Sequence, residues 1–350
     1  MSQSSNIEWT DTTWNCLVGC TRVSAGCDLC YAAQLAATRL KHRPEYQGLA
    51  VITASGRPAF TGTVRFLNER LNDPLHWRKP RRVFVNSMSD LFHDQVTDDQ
   101  LDRIFAVMAL TPRHIYQVLT KRPERMLEYF HDGRAGAVAA ETGSGPDGDR
   151  NWPFIRPDDL GDRWPLPNVW LGVSVENQET AEERIPLLLQ TPAAVRWISA
   201  EPLLGPIDLR TVVRRAGQYT EADRFLPGLD WVVAGGESGP QARPCDVDWI
   251  RSIVQQCQEA GVPVFVKQLG AWVSGEWPTD ERGHCRPQVN RWLFPDGMVW
   301  VPGIIGDHNY TRPDGAIACG LGDRKGGTPS EWPDDLRVRE FPPSAKATAA

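Results

Sequence analysis

The sequence predicts an α/β fold, a (β/α) barrel of six to eight parallel strands with a C-terminal appendage. Three observations predict it. Apolar, β-branched runs recur along the chain, each is followed by a polar turn and a helical pattern, and nearly every run ends on a polar or charged residue. Near-continuous apolar strands suit a parallel sheet buried on both faces, and strand–helix alternation suits a barrel.

The clear strands are Arg82–Met88, His114–Thr120, Val169–Val175, Val195–Ala200, Trp231–Gly235 and Val262–Gln268. Two weaker candidates precede them, Ile7–Thr10 and Thr63–Leu67, making eight; without both the barrel is incomplete, at six or seven. Helices fill the gaps. Tyr31 to Leu40 reads as helical. Thr97-Asp98-Asp99 caps a helix with Leu101, Ile104, Phe105 and Met108 on one stripe, and Thr111-Pro112 stops it. Gln178–Gln190 is a third, kinked or shortened by Pro186. Asp246 opens a fourth, with Ile250, Ile253, Val254 and Cys257 inward and Gly261 closing it.

Residues 131–168 and 210–230 break the rhythm and read as insertions, the first as a mobile lid or an insertion. The expected organisation is a barrel over residues 1–270, an appendage packed on it over 271–343, and a frayed tail at 344–350.

The 350 residues carry 38 basic against 44 acidic side chains, a net of −6. That excludes a protein whose whole surface attracts nucleic acid, and leaves local basic patches open. No apolar run is long enough to span a membrane, and the start has neither a basic nor an apolar signal region, so a cytoplasmic location is expected. Two counts stand out: 14 Trp, and 8 Cys of which half lie within 15 positions.

Clustered thiols in a reducing compartment more often bind metal or do redox chemistry than form disulfides. Cys20, Cys27 and Cys30 make Cys-x6-Cys-x2-Cys. Three thiolates on one loop can hold three irons of a 4Fe–4S cluster and leave the fourth open. Gly19 and Gly26 let such a loop turn tightly. The helix behind it would offer N-terminal amides to the cluster sulfurs. With Cys16 the pattern also suits a closed zinc site. From spacing alone, iron–sulfur, zinc and unligated thiols all remain open. Cys257 is expected to be core, and Cys245, Cys285 and Cys319 have no partner at ligand spacing.

Chemistry in a barrel collects at the C-terminal strand ends. Those ends carry Asn86-Ser87-Met88-Ser89-Asp90, Thr120-Lys121-Arg122, Ser174-Val175-Glu176-Asn177, Ser199-Ala200-Glu201-Pro202, Gly235-Gly236-Glu237-Ser238-Gly239 and Lys267-Gln268. The bland alternative is that strands end on polar residues because loops are wet.

These segments appear in a fixed order together with Ile7-Glu8-Trp9-Thr10, Trp14-Asn15, the three cysteines with Tyr31-Ala32, Leu91-Phe92-His93, Leu203-Leu204-Gly205-Pro206 and Gly172-Val173. As a set over about residues 7–270, they resemble a phage-associated, radical-SAM-like family of uncharacterised function with a three-cysteine motif. The resemblance implies a TIM-type barrel, a 4Fe–4S cluster on Cys20, Cys27 and Cys30, and S-adenosylmethionine (SAM) on the open iron. Cys16 departs from the family pattern and is not expected to be a ligand.

Leu29 and Tyr31 are implied on the cofactor side, Leu29 beside the adenine. Gly235-Gly236-Glu237 looks like the element that binds the SAM amino group, although it ends a late strand where the usual one ends the second. Glu176 and Glu201, with Glu237, are candidates for polar contacts to SAM. Ser87, Asp90, Lys121 and Lys267 are candidates for substrate contact or proton transfer, the two lysines equally for ion pairing with those acids.

The implied reaction is one-electron cleavage of SAM, fed by a donor such as flavodoxin or ferredoxin, to give methionine and a 5′-deoxyadenosyl radical that abstracts hydrogen from the substrate. The sequence does not name the substrate; the phage association of the family it resembles makes nucleic acid or a nucleotide one candidate. Arg39, Lys41, His42 and Arg43 near the cluster helix can track phosphates, while the run Trp77–Arg82 reads as a solvated charge run. A zinc-stabilised barrel with a hydrolytic or structural role, and a nucleic-acid-binding accessory protein with a structural cluster, remain as alternatives. Trp9 and Trp14 are expected to shield the cluster loop.

Overall fold

The computed structural model describes residues 5–131, 133–144, 154–210, 226–239, 241–275, 291–293, 299–300 and 318–343. Cys285, the tail at 344–350, and much of the expected insertions and appendage lie outside them. The chain forms two compact units, one of Met1–Ser174, Glu183–Trp197 and Pro342–Ala350, the other of Val175–Glu182 and Ile198–Phe341.

The fold is mixed α/β around a seven-stranded sheet. Its strands are β1 (Thr12–Trp14), β2 (Arg82–Val85), β3 (Ile115–Thr120), β4 (Val169–Ser174), β5 (Val195–Ala200), β6 (Trp231–Gly235) and β7 (Val264–Gln268), in chain order across the sheet. Every described pairing is parallel. The order ends at β1 and β7, so among the described residues the incomplete form is built and not a closed barrel of eight.

The two weak strand candidates account for the difference. Ile7–Thr10 is a turn closed by Thr10 N–H on the Ile7 carbonyl at 3.1 Å, and the strand starts two residues later. Within Thr63–Leu67 only Arg65–Phe66 is strand, paired antiparallel with Leu17–Val18 outside the main sheet. Short, charge-interrupted runs lacked the continuous apolar face that a central strand needs.

In the first unit one register row reads Trp14, Val85, Val118, Leu171. All four side chains are buried. Gly172 leaves room for Trp197, because a Cβ there would sit 2.6 Å from the indole ring. Trp9 packs edge-on against Trp197 and Phe84, and the Trp14 indole N–H donates to the Arg70 carbonyl at 2.8 Å. Both belong to the sheet core and do not act as shields for the cysteine loop.

Helices α1 (Tyr31–Ala37), α2 (Asp98–Leu110), α3 (Pro123–His131), α4 (Ala135–Ser144), α5 (Gln178–Gln190) and α6 (Val247–Ala260) follow the expected alternation. Thr97 and Gln100 form a full capping box at α2. Asp246 caps α6, and Gly261 ends it at φ 68°. α5 runs through Pro186. The stretch 131–168 holds α4 and a short helix Pro157–Gly161. α4 buries Val138, Ala139 and Thr142, and Arg134, just before it, pairs with Asp98 and Asp102 of α2. Its alanine run is a strong helix former that the surrounding Gly, Asp and Pro concealed.

In the second unit β6 and β7 pair with a bulge between Ala234 and Gly235. A five-stranded sheet joins Cys245–Asp246 to Val273–Ser274, Ala318–Gly320, Arg291–Leu293 and Val299–Trp300. No helix among the described residues is long and apolar enough to cross a membrane.

His114, buried before β3, faces the Pro74 carbonyl through Nε2 at 3.3 Å. Burial, then the Arg113 charge, pushes its pKa down to about 4. A depressed folded-state pKa gives stability that is full above the unfolded value of about 6.5 and is lost as pH falls through the folded one. Between about pH 6.5 and 4, the melting temperature should fall. His114→Gln should flatten that slope in a pH series of thermal melts; an unchanged slope would assign it to other groups.

Candidate functional site

The cysteine loop leaves the sheet after β1 and returns at α1. Gly19 starts it at φ 94°, where a Cβ would lie 2.0 Å from the Thr63 carbonyl oxygen, so only glycine fits. Its N–H donates to the Met88 carbonyl at 3.1 Å. Asn86, just past β2, takes the left-handed φ of 58°. From there its Oδ1 accepts the Leu17 N–H at 3.2 Å and the Cys16 thiol at 3.6 Å. Asn15 reciprocates, its Oδ1 accepting the Ser87 hydroxyl and the Met88 N–H, each at 3.1 Å. The Tyr31 hydroxyl donates to the Ser87 carbonyl at 2.7 Å. Ser87 is thus a fastening point between the loop and α1.

Among the seven described cysteines, Cys16, Cys245, Cys257 and Cys319 are buried, while Cys20, Cys27 and Cys30 are partly exposed. Burial pushes the Cys16 thiol up to about 12. Cys257 packs on the apolar face of α6, as its spacing predicted.

Cys27 lies close enough to both Cys20 and Cys30 for its charge to act on each. Burial, then Asp90, pushes the Cys20 thiol up to about 12, against Arg122, which donates to Cys20 Sγ at 3.7 Å. Burial also raises Cys30, opposed by the amides of Ala33 and Ala32 and by the Lys121 charge. Cys30 stands at the N-cap of α1, with no cap hydrogen bond from its side chain. Leu29 is half-buried between the last two cysteines.

No three His, Cys, Asp or Glu among the described residues are drawn together as ligands of one ion would be. A tetrahedral zinc places four donors around one point, whereas cluster thiolates each take their own iron. The partly exposed trio, with cationic and amide donors beside it, has the donor chemistry a cluster asks for. The four-thiol zinc set would need Cys16, which is sealed in the core and bonded to Asn86.

Behind the trio stands Asp90, buried after β2. Its Oδ1 accepts from Phe92 N–H at 3.0 Å and Thr120 Oγ1 at 2.7 Å; its Oδ2 accepts from Lys121 N–H at 3.0 Å and Arg122 Nη1 at 3.1 Å. All four lone-pair directions are used, so Asp90 positions its neighbours and is not placed as a proton-transfer base. Arg122 also donates through Nη2 to Thr21 Oγ1 at 2.5 Å. His93 Nδ1 accepts the Gln95 N–H at 3.2 Å, which leaves Nε2 to donate to Thr21 at 3.0 Å. Burial, then Arg122, lowers the His93 pKa and keeps the ring neutral. Lys121 Nζ donates to Ser174 Oγ at 2.7 Å.

Arg122, Thr21 and His93 were not among the expected site residues. Arg122 follows Lys121 at the end of β3, and the visible signal was two consecutive cations there. Which of the two turned back toward the cysteines depends on Asp90.

In the second unit, Glu201 follows β5 and Lys267 lies at the end of β7. Lys267 Nζ meets Glu201 Oε1 at 2.6 Å, and Gln268 Nε2 donates to the same oxygen at 3.1 Å. Lys267 is therefore an ion-pair partner. Glu176 is buried just past β4. Gly235 and Gly236 pack against the β7 end, where a Cβ on Gly236 would lie 2.2 Å from the Leu269 carbonyl oxygen. The Arg243 guanidinium holds both Glu237 oxygens, at 2.9 and 2.6 Å. That triplet is thus occupied by packing and an internal ion pair.

A family model with the description "Protein of unknown function (DUF5131)" matches residues 4–305. No curated protein matches, and no solved structure does.

Proposed function

Since the chain belongs to the DUF5131 family, whose function is unknown, its activity has to be read from its own residues, and we propose that it is a radical-SAM-type iron–sulfur enzyme. The observation that carries the reading is the division of the thiols: Cys20, Cys27 and Cys30 are the partly exposed ones, on one glycine-hinged loop, with Cys27 acting on both others.

These three residues would hold a 4Fe–4S cluster. When bound, such a cluster supplies the electron that cleaves a C–S bond of SAM. The chain's own part is positioning and charge. Arg122, which donates to Cys20, would offset negative charge on that sulfur, as outer donors do at metal sites. Asp90 fixes Arg122 without a free lone pair of its own. Lys121, which donates to Ser174, also lies where its charge acts on Cys30. Leu29 supplies the apolar surface for an adenine. Glu237 is left out of the cofactor set because Arg243 holds it. The proposal rests on the first unit alone, in a reducing cytoplasm with a flavodoxin- or ferredoxin-type donor.

Anaerobic purification should give a brown protein with about four irons per chain. Dithionite and SAM should then release 5′-deoxyadenosine and methionine. A colourless chain with one tight zinc, or a loaded cluster that binds SAM and never cleaves it, would overturn the assignment.

A further inference from the structure

Residues 31–67 carry Arg39, Lys41, Arg43, Arg57 and Arg65 against Glu45, a net of +4 in a chain whose total is −6. The segment is one packed layer. Ala32, Ala36, Tyr46, Leu49 and Leu67 are buried together, with Cys30, Leu35, Leu40 and Phe60 against them. The antiparallel hairpin of Ala50–Ile52 and Pro58–Phe60 completes it.

Arg39, Lys41, His42, Arg43 and Arg57 are all exposed, and none has an ion-pair partner among the described residues. Glu45 is engaged by Arg70 at 3.9 Å, and Arg65 spends its guanidinium on the Glu45 and Gln47 carbonyls at 2.9 and 2.7 Å. Unscreened like charges on one layer repel each other unless a polyanion binds them. The other basic run, Trp77–Arg82, differs: Arg81 lies over the Trp77 ring at 5.3 Å and Arg82 pairs with Asp11 at 2.9 Å.

The same layer carries an exposed aromatic. Tyr31 is 51% exposed, yet its hydroxyl is fixed on the Ser87 carbonyl. A ring held open to solvent costs little further ordering when a base stacks on it. Val51 and Ile52, also exposed, add apolar surface on the hairpin. Cations that track a backbone next to a rigid aromatic platform are the elements of single-strand recognition.

We propose that this face, from Tyr31 through Arg57, binds single-stranded nucleic acid, with phosphates on Arg39, Lys41, Arg43 and Arg57 and a base on Tyr31. The inference goes beyond the metal reading and does not need it, because none of these side chains is a proposed metal ligand.

The test is fluorescence anisotropy of the full chain with a labelled single strand of about 20 nucleotides. Four phosphate contacts give a salt slope near −3, so affinity should fall roughly fiftyfold between 50 and 200 mM salt. The triple variant R39S/K41S/R43S should weaken binding at least about tenfold and flatten the slope by about 2. Tyr31→Ala should cost between about 5- and 100-fold, and Tyr31→Phe should retain most of the affinity. These side chains are exposed, and unchanged thermal melts would show that the variants fold. Cys27→Ala, expected to lose iron, should keep the affinity, which separates this face from the metal reading. Wild-type affinity in the triple variant, no binding tighter than ~100 μM at low salt, or equal displacement by polyglutamate, as an acidic protein partner would give, each overturns the proposal.

Discussion

Asp90→Ala is expected to cost about 3–5 kcal/mol, the range for breaking one side of a buried charge pair. The carboxylate receives four hydrogen bonds, from Phe92, Thr120, Lys121 and Arg122, and Arg122 is itself nearly buried. Alanine would leave that guanidinium uncompensated and strip two backbone N–H groups of their acceptor. A drop of roughly 10 °C in melting temperature should follow. Asp90→Asn should be intermediate, because its NH₂ must face donors at one of the two oxygen positions. Asp11→Ala is the control: Asp11 pairs with Arg82 at the surface and should cost well under ~1 kcal/mol. A melt of Asp90→Ala indistinguishable from that control would show that the four bonds do not hold the site.

The second large effect separates the thiols. Cys20→Ala, Cys27→Ala and Cys30→Ala should each reduce anaerobically loaded iron from about four per chain to a small residue. Cys16→Ala should keep the iron and lose about 1 kcal/mol of stability, since that thiol fills core volume and donates to Asn86. The measurement is iron and sulfide per chain beside a thermal melt. If Cys16→Ala loses metal as completely as the others, the ligand set is four thiols and the cluster assignment fails.

The parts of the fold that could be read in advance were those carried by local pattern. The runs from Arg82 to Gln268 became β2 through β7, because continuous apolar stretches have few other homes. The caps at Thr97 and Asp246 and the stop at Gly261 fell where side-chain chemistry put them. The first strand was placed too early, at Ile7–Thr10, because Thr12-Thr13-Trp14 is shorter and less apolar than that neighbour. Its strand state comes from pairing with Val83–Val85, a contact of long sequence separation.

The site divides in the same way. Spacing left Cys16 open beside Cys20, Cys27 and Cys30; the resemblance set it apart, and the structure turns its thiol into the core. The roles of Ser87, Asp90 and Glu237 could not be read. A carboxylate in a list of strand ends looks alike whether it waits for a ligand or is saturated by its neighbours. Only tertiary structure distinguishes Asp90, with four donors, and Glu237, clasped by Arg243, from a free acid.

The left-handed Asn86, together with Gly19, Asn15 and the Asp90–Arg122 pair, braces the cysteine loop using backbone and side-chain bonds alone. On the iron–sulfur reading proposed above, the loop that would carry the three ligands is thus fastened by bonds that do not involve their sulfurs. In small zinc domains, ligation and folding are a single event. Under that reading, loss of the metal in oxygen would leave a chain able to be reloaded rather than one that must be refolded.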